Sequence, residues 1–269
     1  MTDGSVVSEQ EEQFKLLVEQ VSSRALREVN PDREGLERLI KRGDEFQRHI
    51  VSVIRQFTFC TPEFPSYKLA RSILGTDFIS PEEIARIRLD ICYTAEQLSY
   101  FDDTMPSREV LEWCRDNGYL LVAGPGRPMS LLQVCALKPR YFYPADGDWY
   151  TEPSKIFSRR DLVDTRWIMF RKEPAPNSAG KNWDEQQSLL SAVETVPNIA
   201  EVAWCTATYR AVRSIYLLRD IFVRTSSLAA CDGQRVDIGY LEGIGFNIRY
   251  WWESGRDDYL GVSSARKPD

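Results

Sequence analysis

A change of apolar rhythm near Gly118 constrains this chain more than any other feature. Before it, apolar residues recur at helical spacing. After Phe222 they fall into short alternating runs, "DIFVRTSSL", "QRVDIGYL", "IGFNIRYW" and "YLGVSSAR". A helical period cannot sit as a strand, and a period of two cannot wrap as a helix. The chain therefore reads as helices first and an antiparallel run of strands last, which is an α+β arrangement. Asp232-Gly233 between two of the runs is a hairpin signal.

The first segment, "EEQFKLLVEQVSSRALREV", brings Phe14, Leu17, Val18, Val21 and Leu26 near one helical face. The next opens with Asn30 as expected N-cap and Pro31 at the first helical position. Its stripe is Leu36, Leu39, Ile40, Phe46, Ile50 and Ile54. Ser80 with Glu83, and Thr94 with Gln97, have capping-box spacing. Ser107 opens a further helix and Gly118 stops it. The segments "NWDEQQSLLSAV" and "NIAEVAWCTATYRAVRS" predict two more helices, with apolar faces through Leu189, Leu190, Val193 and through Val202, Trp204, Ala207, Val212. The expected division is a helical N-terminal region over 1–107 and a second domain over 108–269.

Several chemistries are excluded or disfavoured by counts. The single histidine, His49, rules out a multi-histidine metal site and lies in a helical pattern that needs no function from it. The six cysteines include no C-x-x-C pair, so a zinc site is not expected and buried free thiols are. A net charge of -6 argues against coating nucleic acid, which needs clustered cations. The "GPG" after "YLLVA" lacks the G-K-[ST] ending of a phosphate loop. "DGDWYTE" lacks EF-hand spacing and reads as a polar turn. No cofactor and no metal are expected. No apolar run is long enough for a membrane span. The opening residues carry no signal segment, so the expected location is the cytoplasm or a virus particle.

The stretch "EGIGFNIRYWWESGRDDYLGVSSARK" mixes Tyr, Trp, Arg, Asp, Ser and Gly too densely for a core strand or a disordered tail. These are the residue types of binding loops: rigid aromatics give contact area at low entropic cost, and small polar residues adapt their hydrogen bonds.

The bracket around that stretch, "FVRTSSL" (222–228) and "LGVSSARK" (260–267), resembles the C-terminal framework of the C-type lectin fold of the formylglycine-generating-enzyme type. It is more similar still to the variable proteins of diversity-generating retroelements, over residues 118–267. That resemblance implies a C-type-lectin-like domain, two helices on a small twisted antiparallel sheet, preceded by the helical N-terminal region. It does not carry over the enzyme's chemistry, since Val262, Ser263 and Ser264 stand where that family's closing strand has its reactive cysteine. Adenine randomisation of asparagine codons would yield Phe246, Asn247, Arg249, Tyr250, Ser254, Asp257, Asp258 and Tyr259. Trp251, Trp252 and Glu253 are not reachable that way, and read as fixed framework or products of other codons.

The expected function is non-catalytic binding of a ligand, a protein or surface molecule, through a hypervariable surface. The expected site is Tyr240, Phe246, Asn247, Arg249, Tyr250, Trp252, Ser254, Arg256, Asp257, Asp258 and Tyr259, largely on one exposed face. Leu260 and Val262 should point inward from a framework strand, and Arg266 should pair with an acid or a carbonyl. Two alternatives stand beside this: an enzyme using Asp146, Asp148, Glu152, Asp184 or Glu185, and a helical scaffold with a fixed C-terminal interface.

Overall fold

The computed structural model describes residues 3–43, 47, 50, 64–88, 90–143, 149–229 and 233–268. His49, Phe46, Ile54, Cys60, Asp146, Asp148, Cys231 and Asp232 lie outside them. The chain divides into two compact units, Met1–Ile54 and Arg55–Asp269.

In the first unit, a helix runs over Asp3–Val29 and a second over Arg33–Lys41. Asn30 is not the cap of the second helix. It takes a left-handed φ of 44° and donates its N–H to Leu26 O, closing the helix before it. Asp32 caps instead, its carboxylate accepting from Gly35 N at 2.7 Å. Leu36, Leu39 and Ile40 are exposed.

The second unit mixes helices with three small sheets. Its largest sheet has the order β1-β2-β5-β11-β6, formed by Phe78–Ile79 (β1), Tyr119–Ala123 (β2), Trp167–Arg171 (β5), Glu194–Thr195 (β6) and Ala265–Arg266 (β11). The next has the order β10-β7-β8-β9, formed by Phe222–Leu228 (β7), Gln234–Leu241 (β8), Gly245–Trp252 (β9) and Leu260–Val262 (β10). Met129–Ser130 (β3) and Leu162–Val163 (β4) pair as a short ribbon.

The expected border after residue 107 falls inside this unit, and the packing shows why. Phe78 and Ile79 pair in parallel with Leu121 and Val122, so a segment before residue 107 supplies an edge strand to the sheet. Tyr67, Phe78 and Phe101 close around Trp167 with ring centroids 5.0–5.8 Å apart. The indole N–H of Trp167 donates to Phe101 O at 2.8 Å. The helices over Pro65–Leu74, Pro81–Ile87 and Ala95–Asp103 therefore bury their apolar faces on the same core as the strands. Ser80/Glu83 and Thr94/Gln97 form capping boxes at the second and third of these.

The helix Ile199–Arg213 is the central rod. Every residue from Ile199 to Tyr209 is buried, and Asn198 with Glu201 caps its start. Trp204 ties the rod to the large sheet by donating to Ala123 O at 2.9 Å. The helix expected over "NWDEQQSLLSAV" is shorter, Trp183–Ser188, and Leu189 and Val193 are exposed rather than facing a core. The chain turns at Ser191–Glu194 to enter β6 instead.

The closing segment does two jobs. Leu260–Val262 pairs with β7, Leu260 opposite Phe222 and Val262 opposite Arg224. Ala265 then pairs with both Phe170 and Thr195. The β10–β7 pairing is parallel, which departs from the all-antiparallel sheet expected. The connection over 253–259 crosses back over the sheet and lays β10 beside β7, not beside β9. Leu260 to Ala265 are all buried, with Leu260 and Val262 fully so. A Cβ on Gly261 would sit 2.7 Å from Pro174 Cβ and 2.8 Å from Ser178 Oγ, so this approach requires glycine.

Placing a charge at the centre of this segment tests its burial. Val262→Asp should cost about 3–5 kcal/mol, because the carboxylate would have no partner in the core. A melting temperature equal to that of the unaltered protein would show that the segment is not buried.

Candidate functional site

Strands β7, β8 and β9 form an antiparallel meander, and their side chains alternate between two faces. One face turns inward. Phe246 and Ile248 of β9 and Val236, Ile238 and Tyr240 of β8 are buried there. Tyr240 stacks on Tyr216 at 3.8 Å between centroids, and Phe246 packs on Tyr216 and Phe142 at 5.6 and 5.8 Å. Tyr240 and Phe246 are thus core residues, a correction to the expected site. The sequence stretch looked uniform, but the pleat sends every second side chain inward. Tyr250 lies on the same side at its margin, its ring 4.9 Å from Trp149.

Asn247, Arg249 and Trp251 occupy the other face, opposite Gly239, Asp237 and Arg235. Arg249 donates from Nε to Asp237 Oδ1 at 2.6 Å. Its guanidinium lies 3.5 Å from the centroid of Phe222 and 5.6 Å from that of Trp251. Arg235 bonds Glu253 at 2.6 Å and covers Trp183 at 4.3 Å. Trp251, Arg235 and Asp237 were missed by the sequence reading. The two-residue period that groups Asn247 with Arg249 groups Trp251 with them as well.

Beneath this face sits Arg224, fully buried, from the "FVRTSSL" strand. Its Nη1 donates to Lys181 O at 3.0 Å and Gln186 Oε1 at 2.8 Å. Its Nη2 donates to Trp252 O at 2.9 Å and Gly255 O at 2.7 Å. Gln186 in turn donates to Ser178 O and Leu260 O. The main chain of the 252–260 turn is held at further points. Asp257 O accepts from Gly180 N, and Tyr259 O accepts from Phe222 N at 2.8 Å. Asp257 caps locally by accepting from Tyr259 N at 2.8 Å. Trp251 lies against Gly255, where a Cβ would come within 2.5 Å of the indole nitrogen.

Side chains leave this fixed backbone outward. Trp252, Ser254, Arg256, Asp258 and Tyr259 are exposed, Trp252 to 53% and Tyr259 to 69%. Arg256 reaches Glu185 at 2.7 Å. Of the eleven expected site residues, the turn brings Ser254, Arg256, Asp257, Asp258 and Tyr259 together. Asn247 and Arg249 share the outer strand face. Trp252 and Tyr250 stand at the margin, and Tyr240 and Phe246 are inside.

Of the acids weighed for catalysis, Glu152, Asp184 and Glu185 are described, and each is engaged or solvated. Glu185 is the capping-box acid of Trp183–Ser188, accepting from Asn182 N at 3.0 Å, and that bond holds its carboxyl below the usual range. Glu152 and Asp184 are exposed. Among the described residues, no three of His, Cys, Asp and Glu gather so as to hold a metal ion. No described helix is long and apolar enough to cross a membrane.

Two predictions follow from the buried charges. Arg224→Met leaves the carbonyls of Lys181, Trp252 and Gly255 and the Gln186 amide oxygen without this donor. It should cost about 3–5 kcal/mol in urea melts and loosen the 252–260 turn to amide exchange. A loss below about 1 kcal/mol would show that the clamp is dispensable. The Asp237 carboxyl is pushed up from 3.8 to about 6, because burial outweighs the attraction of Arg249. The folded state then holds this proton more tightly than the unfolded chain. The stability Asp237 contributes is greatest below pH 3.8 and is lost as pH rises through about 6. Relative to Asp237→Asn, the unaltered protein should lose stability on the order of 2 kcal/mol between those limits. A difference that stays flat or grows the other way would refute the assignment.

Comparison with protein-family models, with curated proteins and with solved structures finds no match for this chain.

Proposed function

We propose that the chain is a non-catalytic ligand-binding protein whose C-terminal segment is a diversified binding surface on a C-type-lectin-like frame. It belongs in this reading with the variable proteins of diversity-generating retroelements. The observation that carries the reading is the division of labour over 252–260. The backbone is fixed by main-chain and Arg224 hydrogen bonds, while Trp252, Ser254, Arg256, Asp258 and Tyr259 project outward. Such a turn can exchange side chains without losing the bonds that hold its shape. Preorganised backbone with rotatable polar and aromatic tips is what a binding surface of changing specificity needs.

The bracketing residues support the same reading. The "FVRTSSL" strand supplies the clamp and the "LGVSSAR" segment is buried from Leu260 to Ala265. Variation on the inward residues Tyr240 and Phe246 would disturb the aromatic packing with Tyr216, so the working site is narrower than the sequence stretch. It consists of Asn247, Arg249 and Trp251 on the outer strand face and Ser254 with Arg256 to Tyr259 on the turn, with Trp252 at its margin. The ligand is a macromolecular surface: Tyr259 is the anchor, Trp252 adds apolar area at the margin, and Arg256 and Asp258 orient charge at the rim.

The test is a displayed library randomised at Asn247, Trp252, Ser254, Arg256, Asp258 and Tyr259 and selected against a model protein such as lysozyme. Most members should fold, with melting temperatures within about 5 °C of the parent, roughly 1–2 kcal/mol for a domain this size. Selection should return binders whose affinity disappears when the parent residues are restored. A library that is mostly unfolded, or that folds and yields no binder, would sink the reading.

A further inference from the structure

We infer that Arg88 is the cationic wall of a buried site for a small monatomic anion of the halide class, away from the ligand face. Arg88 follows the helix Pro81–Ile87, and its N–H closes that helix on Ile84 O. The residue is only 1% exposed, although it carries a guanidinium. None of its three side-chain nitrogens has a hydrogen-bond partner, and all three are buried. The one other fully buried arginine among the described residues, Arg224, gives both of its terminal nitrogens to acceptors, four oxygens in all.

The surroundings make the contrast sharper. The guanidinium lies 5.5 Å from the ring of Trp204 on the central rod. Its electrostatic neighbours are Asp90, which is exposed, and then Tyr141 and Tyr93. The Tyr93 hydroxyl is already committed to Gly124 O at 2.8 Å. One helical turn beyond Trp204, the Thr208 hydroxyl is also buried without a partner. A cation–π contact and a helix C-terminus offset only part of the cost of desolvating a full charge. Burial accordingly lowers the Arg88 pKa.

The choice of ligand follows from shape and chemistry. A planar fork of N–H donors in a closed aromatic setting suits a single sphere of negative charge, which accepts from several donors without fixed angles. Binding would act on the stability of the folded unit, because only the folded chain assembles Arg88 against Trp204.

The test compares melting of the unaltered protein in sodium chloride and in sodium gluconate at matched ionic strength. A saturable rise of about 3 °C in chloride alone is expected, on the order of a tenfold ratio of anion to dissociation constant. Arg88→Met should melt alike in both salts. If that variant does not fold, bromide-soaked crystals of the unaltered protein decide the matter, through an anomalous peak at the Arg88 fork. Superimposable melting in the two salts, or no bromide peak there, would overturn the inference and leave Arg88 held by Trp204 and the helix end alone.

Discussion

The buried guanidinium of Arg224 is the contact on which the C-terminal architecture depends. One side chain reaches Lys181, Gln186, Trp252 and Gly255, so it joins β7, the segment before Trp183, the helix from Trp183 and the crossing turn. Three of its four acceptors are main-chain carbonyls. Their identity as acceptors does not depend on which residues carry them, so the clamp reads the path of the chain and not its side chains. Gln186 completes the hub by bonding Leu260 O, which sets β10 beside β7. A neutral residue at 224 could fill the space but could not hold four oxygens pointing at one place.

The same economy governs the charges of the outer face. Arg249 is laid over Phe222 and bonded to Asp237, so its position is set from below by a residue no ligand could touch. Arg235 is set by Glu253 and Trp183 in the same way. Cations with supported positions lose less freedom on meeting a partner than free lysines would. By contrast Tyr259 and Trp252 have area to offer and little to hold them.

Much of this was legible in the sequence where one residue's surroundings are local. The strand Phe222–Leu228 matches the quoted motif at both ends, and the capping boxes at Ser80 and Thr94 stand where their spacing put them. What was not legible depends on partners far away in the chain. The capping box at Thr94 announces the helix Ala95–Asp103, but no such box announces Pro65–Leu74, and nothing in either segment says that Trp167 is their destination. The parallel pairing of β10 was hidden for the same reason, since alternation fixes which side chains face inward and not which neighbour a strand takes. At the site, residues of one composition were treated as one surface. Applying the two-residue period to Gly245–Trp252 separates Phe246 from Arg249 and recovers Trp251.

The segment Leu260–Arg266 belongs to both sheets, and this has a kinetic side. Its pairings reach back to β7, β6 and β5, so each of them closes a long loop. Loops of that span form late, after local turns and helices have lowered the entropy that remains to be lost. The two sheets would therefore gain rigidity together, in one cooperative step when this segment docks. Until it docks, β5 and β7 each present an open strand edge to solvent, and both edges disappear in the same event. The stretch that closes the C-terminal sheet is then also the latch against association between unfinished chains.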